Sequence, residues 1–110
     1  MAHKLFTIKK RTAFVHIRNK GIFYQSNNFN VQILSDQDLD NNIGVGYTAT
    51  KKIGNAVNRN RAKRIMRELA KKILINGKIN TYYVLIAKTS ILDSNFNDLL
   101  MELKKSIDVK

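Results

Sequence analysis

Tyr82-Tyr83-Val84-Leu85-Ile86-Ala87 is the stretch on which the fold turns. It is short and apolar on both faces, which places it as a strand inside a sheet rather than on an edge. Upstream, from Ala56 to about Ile75, the spacing is helical: Val57, Ala62, Ile65, Met66, Leu69 and Ile73 form one apolar stripe. Asn55 is its expected N-cap, and Asn76-Gly77 stops it. Further upstream, Val45 to Thr50 alternates as a strand, and Lys51 to Gly54 turns the chain. Downstream, a helix from about Asn95 buries Phe96, Leu99, Leu100, Leu103 and Ile107.

The N-terminal part completes the pattern. After a basic arm, Thr12 to Lys20 reads as a short helix, with Thr12 as cap, Phe14 and Ile17 on one face, and Gly21 at a left-handed C′ position. Ile22 to Gln25 is a short strand, and Phe29 to Leu34 alternates as a half-buried one. Ser35 to Asn42 is a loop. The order α-β-β-β-α-β-α predicts an α+β protein, a two-layer α/β sandwich in one domain spanning residues 1–110.

Composition narrows the function. With 110 residues and no cysteine, disulfides, thiolate catalysis and cysteine-bound zinc are excluded. No apolar run reaches membrane length, and Met1 to Arg11 is basic without an apolar core, so neither a span nor a signal peptide is expected and a cytoplasmic location is. The formal net charge is +12, and the 22 residues from Lys51 to Lys72 carry +8 of it, with Glu68 their only acid. A charge so concentrated points to a polyanion. An anionic membrane surface fits poorly, because the helix lacks aromatic anchors and its apolar stripe is needed for the core.

Chemistry by the chain itself is not expected, and no catalytic residue or metal ligand is assigned. His3 and His16 have no serine–carboxylate partnership nearby in sequence. Asp36, Asp38 and Asp40 have calcium-loop spacing, but Asn41 stands at the glycine position and Tyr47 at the bidentate glutamate position. Gly44-Val45-Gly46-Tyr47-Thr48-Ala49 loosely matches a dinucleotide fingerprint, yet a polar stretch precedes it and the glycines open a strand, not a helix. Small residues on one strand face instead make room for something lying against the sheet.

The informative constellation is Lys51-Lys52-Ile53-Gly54-Asn55-Ala56-Val57-Asn58-Arg59-Asn60-Arg61-Ala62-Lys63-Arg64-Ile65-Met66-Arg67-Glu68. On a helix Arg59, Lys63 and Arg67 stack at four-residue steps, opposite the apolar stripe, with Asn60 and Arg64 beside them. Arginine grips phosphate with two parallel hydrogen bonds, and asparagine can read a base edge or a sugar hydroxyl.

This run is similar to the signature of the bacterial ribonuclease P protein subunit, whose hallmark is an Arg-Asn-Arg core in a basic helix. Here the core is Arg59-Asn60-Arg61, preceded by Lys-Lys-Ile-Gly-Asn-Ala-Val and followed by Lys63-Arg64. The likeness extends from the Phe14 helix to the final amphipathic helix. It implies a left-handed β-α-β crossover, where connectivity rules alone would give a right-handed one. It also implies a ribonucleoprotein endonuclease that removes the 5′ leader of precursor tRNA. A large RNA subunit performs the hydrolysis with bound magnesium, while the protein binds substrate, promotes metal binding and holds no cofactor alone. By matching, Lys51, Lys52, Arg59, Asn60, Arg61, Lys63, Arg64 and Arg67 face the catalytic RNA. A cleft between the first helix and the sheet, carrying Phe14, Arg18, Asn30, Gln32 and Thr48, takes the single-stranded leader.

Arg18 and Gln32 stand where relatives can carry aromatics, and Gly44 where an arginine is frequent. Phe14 is either a base-stacking residue or a core anchor for its helix. The alternative function is a general RNA-binding or ribosomal protein, with the same basic helix and no leader cleft.

Overall fold

In the computed structural model, which describes residues 3–108, the apolar run becomes the central strand. The chain forms β1 (Leu5–Thr7), α1 (Arg11–Lys20), β2 (Ile22–Tyr24), β3 (Phe29–Leu34), β4 (Ile43–Thr48), α2 (Ala56–Lys72), β5 (Thr81–Ala87) and α3 (Phe96–Asp108). The sheet order is β1-β4-β5-β3-β2. β1, β4 and β5 run parallel, while β3 is antiparallel to both β5 and β2. With β4 and β3 on its two sides and helices over both faces, β5 is buried along most of its length, Tyr82 and Ile86 being half-buried, which explains its unbroken apolar sequence. The β4–α2–β5 segment is the crossover joining two adjacent parallel strands.

Helices cover both faces unequally. Ala62, Met66, Leu69 and Ala70 of α2 and Leu99 and Leu103 of α3 pack with Val31, Ile33, Val45 and Leu85 of the sheet in one large core. The other face holds a smaller cluster, in which Ile17 of α1 meets Ile8 and Val84, with Phe14, Tyr82 and Ile86 around them. β1 and β2 are the two opposite sheet edges, so α1 crosses this second face from edge to edge. Its ten residues span about 15 Å against roughly 19 Å of sheet. Part of the face stays open.

Several local expectations are corrected. The segment Leu5–Thr7, read as part of a basic arm, is a strand, because pairing with Ile43, Gly44 and Val45 satisfies its backbone. Thr12 lies inside α1, whose N-cap is Lys10 with no side-chain cap bond. Gly21 is extended (φ −80°, ψ 174°), not left-handed. It is needed there for space: a Cβ would lie 2.6 Å from the Ile17 carbonyl oxygen and 2.8 Å from that of Ile33. β4 starts at Ile43, two residues early, and ends at Thr48, freeing Thr50 to cap the 3-10 turn Lys51–Ile53. β2 ends at Tyr24, and α2 ends at Lys72 before a 3-10 turn at Leu74–Asn76. Val57 leaves the apolar stripe altogether at 73% exposure, because the five-residue step to Ala62 turns it about 140° around the helix, away from the buried face of Ala62, Met66, Leu69 and Ala70.

Other readings hold. Asn55 Oδ1 accepts from the Asn58 amide at 2.9 Å and caps α2, and Asn95 Oδ1 does the same for α3 through the Asn97 amide at 2.8 Å. The small face of β4 does receive a neighbour: a Cβ on Gly46 would run into the Phe14 ring.

Leu69 is fully buried, so Leu69→Ala is expected to cost about 2–5 kcal/mol in denaturant unfolding through the cavity it leaves. Gly21→Ala forces a methyl between two backbone carbonyls and is expected to cost about 1–3 kcal/mol by the same measurement. An unchanged midpoint for either would mean that the phase of α2, or the approach of α1 to β3, is not as described.

Candidate nucleic-acid interface

Burial of Ala62, Met66, Leu69 and Ala70 sets the outward side of α2, and the helical repeat distributes the cations around it. Arg59, Lys63 and Arg67 form one row spanning about 80° of the helix circumference. This row borders β4. Asn60 and Arg64 point furthest out, and both are exposed. Arg61 lies on the opposite flank, where its Nη2 donates to the Leu92 carbonyl at 3.3 Å. The candidate surface therefore wraps the outer half of α2 rather than following a single edge. Lys51 and Lys52 extend it from the preceding turn, both exposed. Gly54, at φ 124°, lets that turn lead directly into the Asn55 cap, a backbone shape that favours glycine.

What these cations touch is informative. Arg59 Nη1 donates to the Gly54 carbonyl at 2.7 Å. The Arg67 guanidinium sits 5.7 Å from the centroid of the Tyr47 ring, a cation–π distance. Burial pushes the Tyr47 hydroxyl pKa up, and the nearby Arg67 charge opposes this less strongly, so the phenol stays a neutral donor at physiological pH. Among the described residues the one ion pair is Lys71 Nζ to Glu68 Oε1 at 3.5 Å, and it is exposed. Arg59, Arg61, Lys63, Arg64 and Arg67 have no acidic partner there. Neutral contacts orient three of them and leave their charge uncancelled.

The row runs into a cleft of about 470 Å³ between α1 and the end of β4. Phe14, Val15 and Arg18 of α1, Thr48 of β4 and Lys63 of α2 line it, together with Lys9 and Arg11. Three of the five expected cleft residues, Phe14, Arg18 and Thr48, thus meet in one place. Phe14 packs its ring over Gly46, as the core-anchor role expects, and also lines the cleft. Asn30 and Gln32 face the same side of the sheet but lie beyond β5, opposite Ile86 and Val84 respectively. They continue the cleft floor instead of lining its wall. Asn30 Oδ1 accepts from the Ser26 amide at 3.3 Å.

Sequence reasoning passed over Lys9, Arg11 and Tyr47. The Lys9-Lys10-Arg11 run just ahead of α1 was a usable signal, since a helix start next to a glycine-bearing strand brings those charges to the cleft mouth. Nothing local marks Tyr47 as the seat of Arg67. Asp36, Asp38 and Asp40 are exposed loop residues, and His16 is exposed on α1. Among the described residues no three histidine, aspartate or glutamate side chains converge as a metal site.

Residues 2–109 match the family Ribonuclease P. The ribonuclease P protein component of a Nitratiruptor species is 31% identical over 102 residues, 93% of this chain and 89% of that protein. The solved RNase P protein of Staphylococcus aureus superposes with a TM-score of 0.79 at 26% identity, covering 94% of this chain and 93% of that one. The RNase P protein from Thermotoga maritima shares the fold with a TM-score of 0.81 at 19% identity, over 94% and 96% of the two chains. A basic helix carrying Arg59-Asn60-Arg61, set on this sheet and matched along nearly its whole length, makes the chain a member of the bacterial ribonuclease P protein family.

Proposed function

We propose that this chain is the protein subunit of an RNA-based endoribonuclease that removes the 5′ leader of precursor tRNA, the RNA subunit carrying out the cleavage. The observation that carries this reading is the meeting of two surfaces at Lys63. One is the outer side of α2, whose arginines have no acidic partner among the described residues. The other is the cleft between α1 and β4. A helix face suited to a folded RNA beside a groove suited to a single strand is what a subunit bridging catalyst and substrate requires.

The chain's contribution is binding and charge. Arg61, Arg64 and Asn60 dock on the phosphates and sugar edges of the catalytic RNA. Lys63, Lys9, Arg11 and Arg18 draw the leader phosphates into the cleft, and Phe14 offers a ring edge to a base. Phosphate charge from two RNAs brought close together repels, and these cations offset that repulsion. Magnesium belongs with the RNA in this reading, since the described residues of the chain offer no carboxylate cage for it. The protein lowers the magnesium concentration that the assembly needs because it supplies part of the same counter-charge. No helix of the described chain is long and apolar enough to cross a membrane, and we place the protein in the cytoplasm with its RNA.

Reconstitution with the cognate large RNA at low magnesium is expected to give leader removal with the protein present and little without it. In the same system the protein is expected to tighten binding of precursor tRNA more than of mature tRNA. Equal tightening of both would leave a general RNA-binding protein without a leader cleft. Arg61→Ala is expected to weaken binding to the catalytic RNA and to reduce the log–log salt slope by about 0.7–0.9, the loss of one phosphate contact. An unchanged slope would remove Arg61 from the interface.

A further inference from the structure

Val57 occupies a position that the stability of its own helix does not explain. It is 73% exposed and belongs to neither apolar cluster of the protein. A branched side chain on the second residue of α2 also lowers helix propensity relative to alanine. Packing and propensity would both accept alanine here. A residue that breaks local rules with no structural gain marks a functional position.

The neighbours of Val57 select what meets it. Arg64, Arg61 and Asn60 lie about 20°, 40° and 60° around the helix from it. The buried residues Ala62, Met66, Leu69 and Ala70 lie about 120–180° away. Val57 therefore stands at the outward pole of α2, inside the arc of cations. Lys51 and Lys52 are exposed on the turn just before it. Arg61 and Arg64 have no acidic partner among the described residues. Glu68, the one acid between Lys51 and Lys72, is about 16 Å further along the axis and paired with Lys71. An apolar protein surface docking on Val57 would desolvate these guanidinium groups without a counter-charge. A polynucleotide satisfies both kinds of group: phosphates take the cations, while the carbon-rich face of a nucleoside covers the methyls.

We propose that Val57 is an apolar contact point in the interface with the catalytic RNA, its methyl groups lying against the sugar–base face of one nucleotide whose flanking phosphates engage Arg61 and Arg64. The proposal rests on the reading of α2 as the side that meets that RNA. It adds to an ionic surface a component of binding that salt does not screen, because burial of methyl groups depends on area and not on charge.

The test measures binding of the full chain to its catalytic RNA over a range of salt concentrations, with thermal unfolding of each variant alongside. Val57→Ala is expected to weaken binding by roughly fivefold, the effect of partly burying two carbon atoms. The factor is expected to be the same at every salt concentration, so that the log–log slope remains that of the wild type. The melting temperature of Val57→Ala is expected to equal or exceed the wild type's, since alanine is the better helix former and no core contact is lost. Val57→Ile is expected to bind as the wild type does. Val57→Thr, alike in shape but with a hydroxyl in place of one methyl, is expected to lose affinity as Val57→Ala does. Wild-type affinity in Val57→Ala, with Arg61→Ala still weakened, would overturn the contact alone. Wild-type affinity in Val57→Thr, a reduced slope in Val57→Ala, or a lowered melting temperature accompanying its loss of affinity would do the same. A wild-type protein that does not bind the catalytic RNA would overturn the reading of α2 and the contact together.

Discussion

The packing of α2 against the sheet through Ala62, Met66, Leu69 and Ala70 decides which way seven Lys and Arg side chains face. Two of the four contact residues are alanines, so the helix backbone comes close to the strands and long side chains cannot fold underneath it. Leaving a guanidinium or ammonium group buried and unpaired would be costly, so the cations turn to solvent together. A 17-residue helix with so many like charges has little stability on its own. Its helical state depends on the core it caps, and the presentation of charge to RNA depends on that core in turn.

The second constraint is the route of α1 from one sheet edge to the other. It is permitted by two glycines acting through space, not through unusual dihedral angles. Gly46 clears the strand surface for the Phe14 ring, and Gly21 lets the end of the helix meet the β3 backbone. A helix held this close and this short leaves an open margin of sheet on one side. That margin, walled by Arg18 and Phe14 and closed at one end by Lys63, is the cleft. Cleft and basic helix touch because β4 supplies a residue to each: Thr48 to the floor and Tyr47 to the seat of Arg67.

The electrostatics of the interface follow a consistent rule. Each restrained arginine on α2 is held by a neutral group: Arg59 by the Gly54 carbonyl, Arg61 by the Leu92 carbonyl and Arg67 by the Tyr47 ring. Such contacts reduce the number of rotamers without cancelling charge, so less conformational freedom is lost when a phosphate arrives. Acidic partners would have fixed the side chains as well, and would have had to be displaced. The protein thus holds its positive field in a partly organised state, at the cost of repulsion among its own cations.

The sequence by itself determined the elements whose signal is periodic and contained in a short window. These are the alternation of Phe29 to Leu34, the doubly apolar Tyr82 to Ala87, the stripes of α2 and α3, the Asn55 cap and the clustering of charge around Arg59-Asn60-Arg61. Tertiary structure alone decided the rest, because it rests on pairing between residues far apart in the chain. Leu5–Thr7 is a strand only because β4 completes its hydrogen bonds. Val57, an apolar residue at the head of the helix, lies about 140° around from Ala62 and stays in solvent. Phe14, Arg18, Thr48 and Lys63 share a cleft, with Asn30 and Gln32 continuing its floor beyond β5, only through the strand order β4-β5-β3. Periodicity tells a side chain which face of its own element it occupies, whereas register and strand order decide what lies across from that face.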